Sequence, residues 1–285
     1  MKRKAAAMSS PSGGVQTERV LTVDDLPTEV LWKILRKEVD AVDRVACRRV
    51  SALWRQVLKR GSGGRRGAWV GVIYAAAVAG SGWANVLRWA RAEGCPWDDR
   101  TCERAAKGGH LEVLRWAREN GCPWNEQTCA MAARGGHLEL LQWARDNGCP
   151  WDDCACADAA RYGHMGVLQW LRTNGCPWSA DVCIYAAEGG HLEMLKWARE
   201  NGCPWHKYAC STAAYHGHLE VLRWAHENGC PWDESTCTSA AEGGHLEVLQ
   251  WARASGYPWD ERTRARAECG GHLDVLEWAR ENGCP

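Results

Sequence analysis

The 285-residue chain contains no phenylalanine, only five methionines and six tyrosines, and very little isoleucine. Its apolar bulk must come from elsewhere, and 19 tryptophans with Leu, Val and Ala supply it. No stretch approaches the roughly 18 consecutive apolar residues of a membrane-spanning helix, so no membrane role is expected. The opening MKRKAAAMSSPSGG is basic but has no apolar core, and does not read as a signal peptide. Net charge is also absent, but the zero hides an asymmetry. Residues 1–66 hold 15 Lys and Arg against 7 Asp and Glu, a net of +8; residues 67–285 hold 20 against 28, a net of −8. An acidic C-terminal part offers no broad positive groove for phosphates, which argues against nucleic-acid binding. The excess of Arg over Lys and the lack of Ile fit a GC-rich coding sequence and carry no function.

What is present is periodic. The Gly of a Gly-Cys-Pro-Trp motif stands at 94, 121, 148, 175, 202, 229, 256 and 283, always 27 residues apart. A second Trp recurs at 116, 143, 170, 197, 224, 251 and 278, and a Gly-His pair ends at 110, 137, 164, 191, 218, 245 and 272. Seven full units therefore run from 94 to 282, after a degenerate one over 67–93. A fixed period of this length signals a solenoid. Each unit predicts two helices. The first covers roughly Arg100 to Lys107, with small Ala105 and Ala106, and ends at Gly108-Gly109, expected as a left-handed cap. The second covers Leu111 to Glu119. Val113, Leu114, Ala117 and His110 share one side, Leu111 and Trp116 flank them, and Glu112, Arg115 and Glu119 oppose them. So wide an apolar arc suits a helix packed between two neighbours. Pro123 prevents continuation. The units run to the final Cys284-Pro285 with no evident polar cap.

The stretch TCERAAKGGHLEVLRWARENGC resembles the ankyrin pattern: a Thr-initiated first helix with Ala-Ala, then Gly-His, then a Leu-rich second helix closing on Gly. It departs in the connection, which is six residues shorter, so the β-hairpin finger of the family is expected to shrink to a tight turn on Cys-Pro-Trp. The resemblance covers about three quarters of the chain. Short arrays of this kind are seen in protists, algae and large DNA viruses. It implies an all-α, ankyrin-like helical solenoid over 67–285.

Ahead of it, residues 21–60 predict three short helices between a basic tail, expected to be disordered (1–20), and a Gly-rich linker (61–66). So small a bundle seldom stands alone and would gain from a partner on its apolar side. The segment LPTEVLWKILRKEVDAVDRVACRRVSALW resembles an F-box. Leu26-Pro27-Thr28-Glu29 matches the opening, Ile34-Leu35 the apolar pair, Asp40 and Asp43 the linking acids, and Val50 to Trp54 the closing Val-x-x-x-Trp. The resemblance implies that Leu26, Pro27, Val30, Leu31, Ile34, Leu35, Val50 and Trp54 dock on a Skp-family adaptor, and through it on a cullin–RING ubiquitin ligase. The repeats would then hold a target protein. The alternative is an ankyrin-repeat scaffold or host-interaction protein with no ubiquitin ligase role.

Other chemistries are less well supported. The 16 Cys would suit a secreted disulfide scaffold. Their periodic placement favours small packing residues in a reducing interior, cytoplasmic or nuclear (that of a host cell if the protein is viral). Cys95, Cys102 and His110 recur together. Metal ligands usually come as close pairs, and the set breaks where Tyr257 and Arg264 replace both Cys, so no metal or cofactor is expected. No nucleophile with its own base recurs, so no catalysis is expected. The Trp rows are read as packing rather than as stacking platforms for bases.

Comparing units separates scaffold columns from variable ones. The variable columns are the three residues after Trp97, the two after Cys102 and the two after Ala106. In the middle units these hold Tyr162, Ile184, Tyr185, His206, Lys207, Tyr208, Tyr215 and His216, with Asp152, Asp153 and Asp158 at the rim. Four of the six Tyr fall here. Tyr is enriched at binding hot spots, which makes this the expected target-binding patch.

Overall fold

A computed structural model describes residues 75–285 apart from Glu93, and among them there is helix but no strand. The tail, the three-helix segment, the linker and the start of the degenerate unit lie outside the described residues. A helical stretch over 75–80 and the helix Ala84–Ala92 precede seven helix pairs. The first helices are Asp99–Lys107, Glu126–Arg134, Asp153–Arg161, Asp181–Glu188, Tyr208–Tyr215, Ser235–Glu242 and Glu261–Gly270. The second helices are Leu111–Glu119, Leu138–Asp146, Met165–Thr173, Leu192–Glu200, Leu219–Glu227, Leu246–Ala254 and Leu273–Glu281.

Side-chain size sets the stack. Cys102, Ala105 and Ala106 and their counterparts in every full unit but the last are fully buried, and first helices of successive units pack directly on one another. The second helices bury Val113, Leu114 and Ala117 and stand further apart. The first-helix row is thus the inner side of the array, and one continuous core runs its length.

At the start of each first helix, the side chain in the position after the motif Trp accepts a backbone amide. The carboxylate of Asp98 accepts the Arg100 amide at 3.1 Å. Asn125, Asp152, Ser179, His206, Asp233 and Asp260 each take the amide two residues on. Such a cap satisfies an amide that the helix leaves unpaired. This column varies, as the comparison of units shows, and its duty is structural, because many side-chain acceptors serve.

The Gly-Gly turn also departs from expectation. Only Gly109 is left-handed, at φ +73. Gly108 has an ordinary φ of −82. It is there for space, since a Cβ would come within 2.8 Å of the His110 ring and of the Gly80 carbonyl oxygen. The His does more than order its own turn. Its Nε2 donates to the carbonyl thirty residues earlier, at the end of the preceding unit's first helix, where helix carbonyls lack partners. The bond recurs from His164, His191, His218 and His272 at 2.9–3.1 Å, and His245 bonds the Tyr215 carbonyl. These imidazoles tie unit to unit.

The two Trp rows are half-buried rather than central. Trp97 and Trp116 meet edge to face at 5.6 Å, and the pairing repeats at Trp124–Trp143, Trp151–Trp170 and Trp178–Trp197. The preceding unit's last-turn Arg covers each pair: Arg91 lies 4.0 Å over Trp97, and Arg118 lies 4.0 Å over Trp124. The same Arg118 donates to the Cys122 carbonyl. Stacking, cation–π contact and a backbone bond thus lock each turn.

In the last unit, Arg264 replaces a buried Cys and Glu268 a buried Ala. Glu268 and Leu273 are exposed there, Leu273 at 73%.

Candidate functional site

The variable columns sort into two groups at opposite ends of the first helices. Tyr162, Tyr215 and His216 lie at the C-terminal ends, beside the Gly-His edge, and Tyr185 lies about one turn before such an end. Arg134 stacks 4.8 Å over Tyr162, and Arg161 stacks 4.9 Å over Tyr185. Arg161 also grips Glu188, with Nε at 2.8 Å from the carboxylate. Tyr215 and His216 touch ring to ring at 5.0 Å, and His216 stacks on His218 at 6.2 Å. Tyr162 and Tyr215 are exposed and Tyr185 is half-buried. Together they give amphipathic rings, Tyr162 and Tyr185 held by cations, a suitable surface for burying a partner's side chains.

The second group is at the N-terminal end of Tyr208–Tyr215. His206 and Tyr208 meet at 4.6 Å, and Lys207 pairs with Asp233 at 2.9 Å. Tyr208 is the most exposed tyrosine among the described residues, at 52%. One helix of eight residues separates Tyr208 from Tyr215, on the order of 10 Å. No ring contact joins the two groups among the described residues.

Three expected members are tied down or partly covered. His206 accepts the Tyr208 amide through Nδ1, as described above. Ile184 is half-buried in a column where Ala130 and Ala157 are buried. Asp158 is half-buried beside Arg134 and Arg161; burial pushes its carboxyl up, and the two guanidiniums oppose that. Asp153 stands at a helix start with Asp152 and Cys154, their ligand atoms within 4.8 Å of one another. Asp152 is committed to the cap there. Arg134 and Arg161 belong to the patch, but comparing columns did not single them out because basic residues are ordinary at helix ends.

The docking residues inferred from Leu26 to Trp54 lie outside the described residues. No described helix is long and apolar enough to cross a membrane.

A family model described as ankyrin repeats (many copies) matches residues 102–145 and 210–253, and one described as F-box-like matches residues 23–62. Among solved structures, the ankyrin repeat domain of human ASB11 is similar at 17% identity and a TM-score of 0.45, over 55% of this chain and 84% of that one. No curated protein matches the chain.

Proposed function

We propose that this chain, an F-box-like segment followed on its C-terminal side by ankyrin repeats, is the target-recruiting subunit of an SCF-type cullin–RING ubiquitin ligase. The order of the two modules carries this reading. Both are interaction modules, which points to a protein-interaction adaptor. In the proposal, Leu26, Pro27, Val30, Leu31, Ile34, Leu35, Val50 and Trp54 dock on a Skp-family adaptor, which brings the cullin–RING ligase. The tyrosine patch on the inner face of the repeats holds the target protein. The chain itself supplies position, and the ubiquitin chemistry resides in the ligase it joins.

The test is copurification. Full-length tagged chain should bring down a Skp-family adaptor. The double variant Leu31→Ala/Ile34→Ala should lose it by about tenfold or more, as expected for removing two central apolar anchors. Equal recovery from both chains would favour the ankyrin-scaffold reading instead.

A further inference from the structure

One Trp of the array lacks the cation that covers its counterparts. At six places among the described residues an Arg near the end of a second helix lies 4.0–4.7 Å over the ring of the Trp six residues on, as Arg118 lies over Trp124. Five of these guanidiniums also donate to the carbonyl four residues on, which for Arg118 is that of Cys122. In the remaining turn the Arg position holds His226 and the ring is Trp232. The imidazole turns to Tyr257, whose hydroxyl it meets through Nδ1 at 3.1 Å, and its centre stays 6.2 Å from that of Trp232. The Cys230 carbonyl, the acceptor that Arg reaches in the other turns, takes no hydrogen bond from the described residues.

Tyr257 does not restore the cover. It lies 4.5 Å from Trp232 and is fully buried, so it supports the ring from within. With that phenol in place Trp232 is still exposed, whereas the Trp of each Arg-bearing turn is half-buried. What reaches the surface is an indole ring and, two residues before it, a carbonyl without a donor. The face of an indole and a carbonyl oxygen both attract positive charge, so the two together complement a cation. The neighbouring charges agree. Exposed Glu227 follows His226, and Asp233 follows Trp232. The nearby cation Lys207 is matched by Asp233 at 2.9 Å.

We propose that Trp232 and the Cys230 carbonyl bind the guanidinium of an arginine presented by a partner protein. The chain's own turns identify the occupant. A planar guanidinium lies on an indole and donates to a carbonyl at the same time, as Arg118 does with Trp124 and Cys122. A lysine ammonium has no plane to stack, and a quaternary ammonium has no proton to donate. The site adjoins the exposed Tyr208, because Lys207 lies 5.7 Å over that ring and also pairs with Asp233 beside Trp232. A protein seated on the Tyr208 group therefore reaches Trp232 with one side chain. The inference concerns the repeats alone and does not depend on the ligase reading.

The probe is the blocked tripeptide acetyl-Gly-Arg-Gly-amide, titrated into the isotope-labelled full-length chain while the indole N–H signals are followed by nuclear magnetic resonance. Trp232→Phe identifies the Trp232 signal by its absence. In the wild type that signal should move more than any other tryptophan signal and should saturate. The same peptide with citrulline, equal in shape but uncharged, should bind about tenfold more weakly, and the lysine peptide should also bind more weakly than the arginine peptide. In His226→Arg/Tyr257→Cys the turn regains its own guanidinium, and the response at Trp232 should be lost. Helical circular dichroism checks that this variant folds, and the comparison of peptides on the wild type does not depend on it. The proposal is overturned if the Trp232 signal does not move or another tryptophan responds more, if the citrulline or lysine peptide binds as well as the arginine peptide, or if the folded double variant responds as the wild type does.

Discussion

Two versions of the same turn exist in this molecule. In the regular one, Arg118 covers Trp124, Trp124 meets Trp143 edge to face, and Cys122 fills the pocket below. One hundred and eight residues on (four units), His226 stands where the Arg should be and a fully buried Tyr257 fills the following unit's cysteine position. Tyr257 lies 4.5 Å from Trp232 and 5.9 Å from Trp251, and its hydroxyl bonds His226 Nδ1 at 3.1 Å. Trp232 is left 40% exposed. From the sequence, Tyr257 reads as a break in the cysteine pattern. In the structure the shorter His226 makes room for the larger Tyr257, and the two changed columns belong to one packing unit. A buried phenol needs a partner, and the imidazole is that partner.

The largest effect should come from breaking a regular turn. Trp170→Ala in mid-array removes a ring pair, and because the ring is half-buried the cost should fall near the low end for such truncations, about 3 kcal/mol. Thermal melting measures it, and a wild-type melt would mean that the Trp rows do not hold the stack. Next, a double-mutant cycle of His226→Arg and Tyr257→Cys should sharpen the comparison. Each single change leaves one half of a mismatched pair, whereas the double variant restores the regular turn. A coupling energy of about 1 kcal/mol or more in urea unfolding is expected, and additive singles would show that the two columns are independent. The smallest effect concerns Thr128, whose buried hydroxyl has no partner. Val182 occupies the same column in another unit, fully buried. Thr128→Val should therefore change stability by no more than about 0.5 kcal/mol, or raise it, since an unpaired buried hydroxyl contributes nothing to keep. A clear loss of stability would mean that this hydroxyl has a bonding partner in solution.

Much of the fold was legible in the sequence because the period repeats its own evidence. The second helices run as the spacing of Val113, Leu114 and Ala117 predicts, and the shortened connection is a strandless turn. What was not legible depends on the register between units. His110 bonds a carbonyl thirty residues away, a partner that no local pattern names. The same holds for Gly108, whose reason is the close approach of a neighbouring backbone. At the candidate site, exposed Tyr162, Tyr208 and Tyr215 could be inferred from variability alone. His206 and Ile184 could not be separated from them, because an amide acceptor of many residue types and a half-buried position that tolerates several sizes both look variable.

The central claim is that docking and holding are separate functions at separate ends of the chain. Quantitative affinity purification from the native cell background tests it most directly, comparing wild type, Leu31→Ala/Ile34→Ala and Tyr185→Ala/Tyr208→Ala/Tyr215→Ala. The account predicts that the first variant loses the Skp-family adaptor and keeps the target, while the second keeps the adaptor and loses the target, with unchanged helical signal. Loss of both partners from either variant, or retention of the same target by the tyrosine variant, would contradict it.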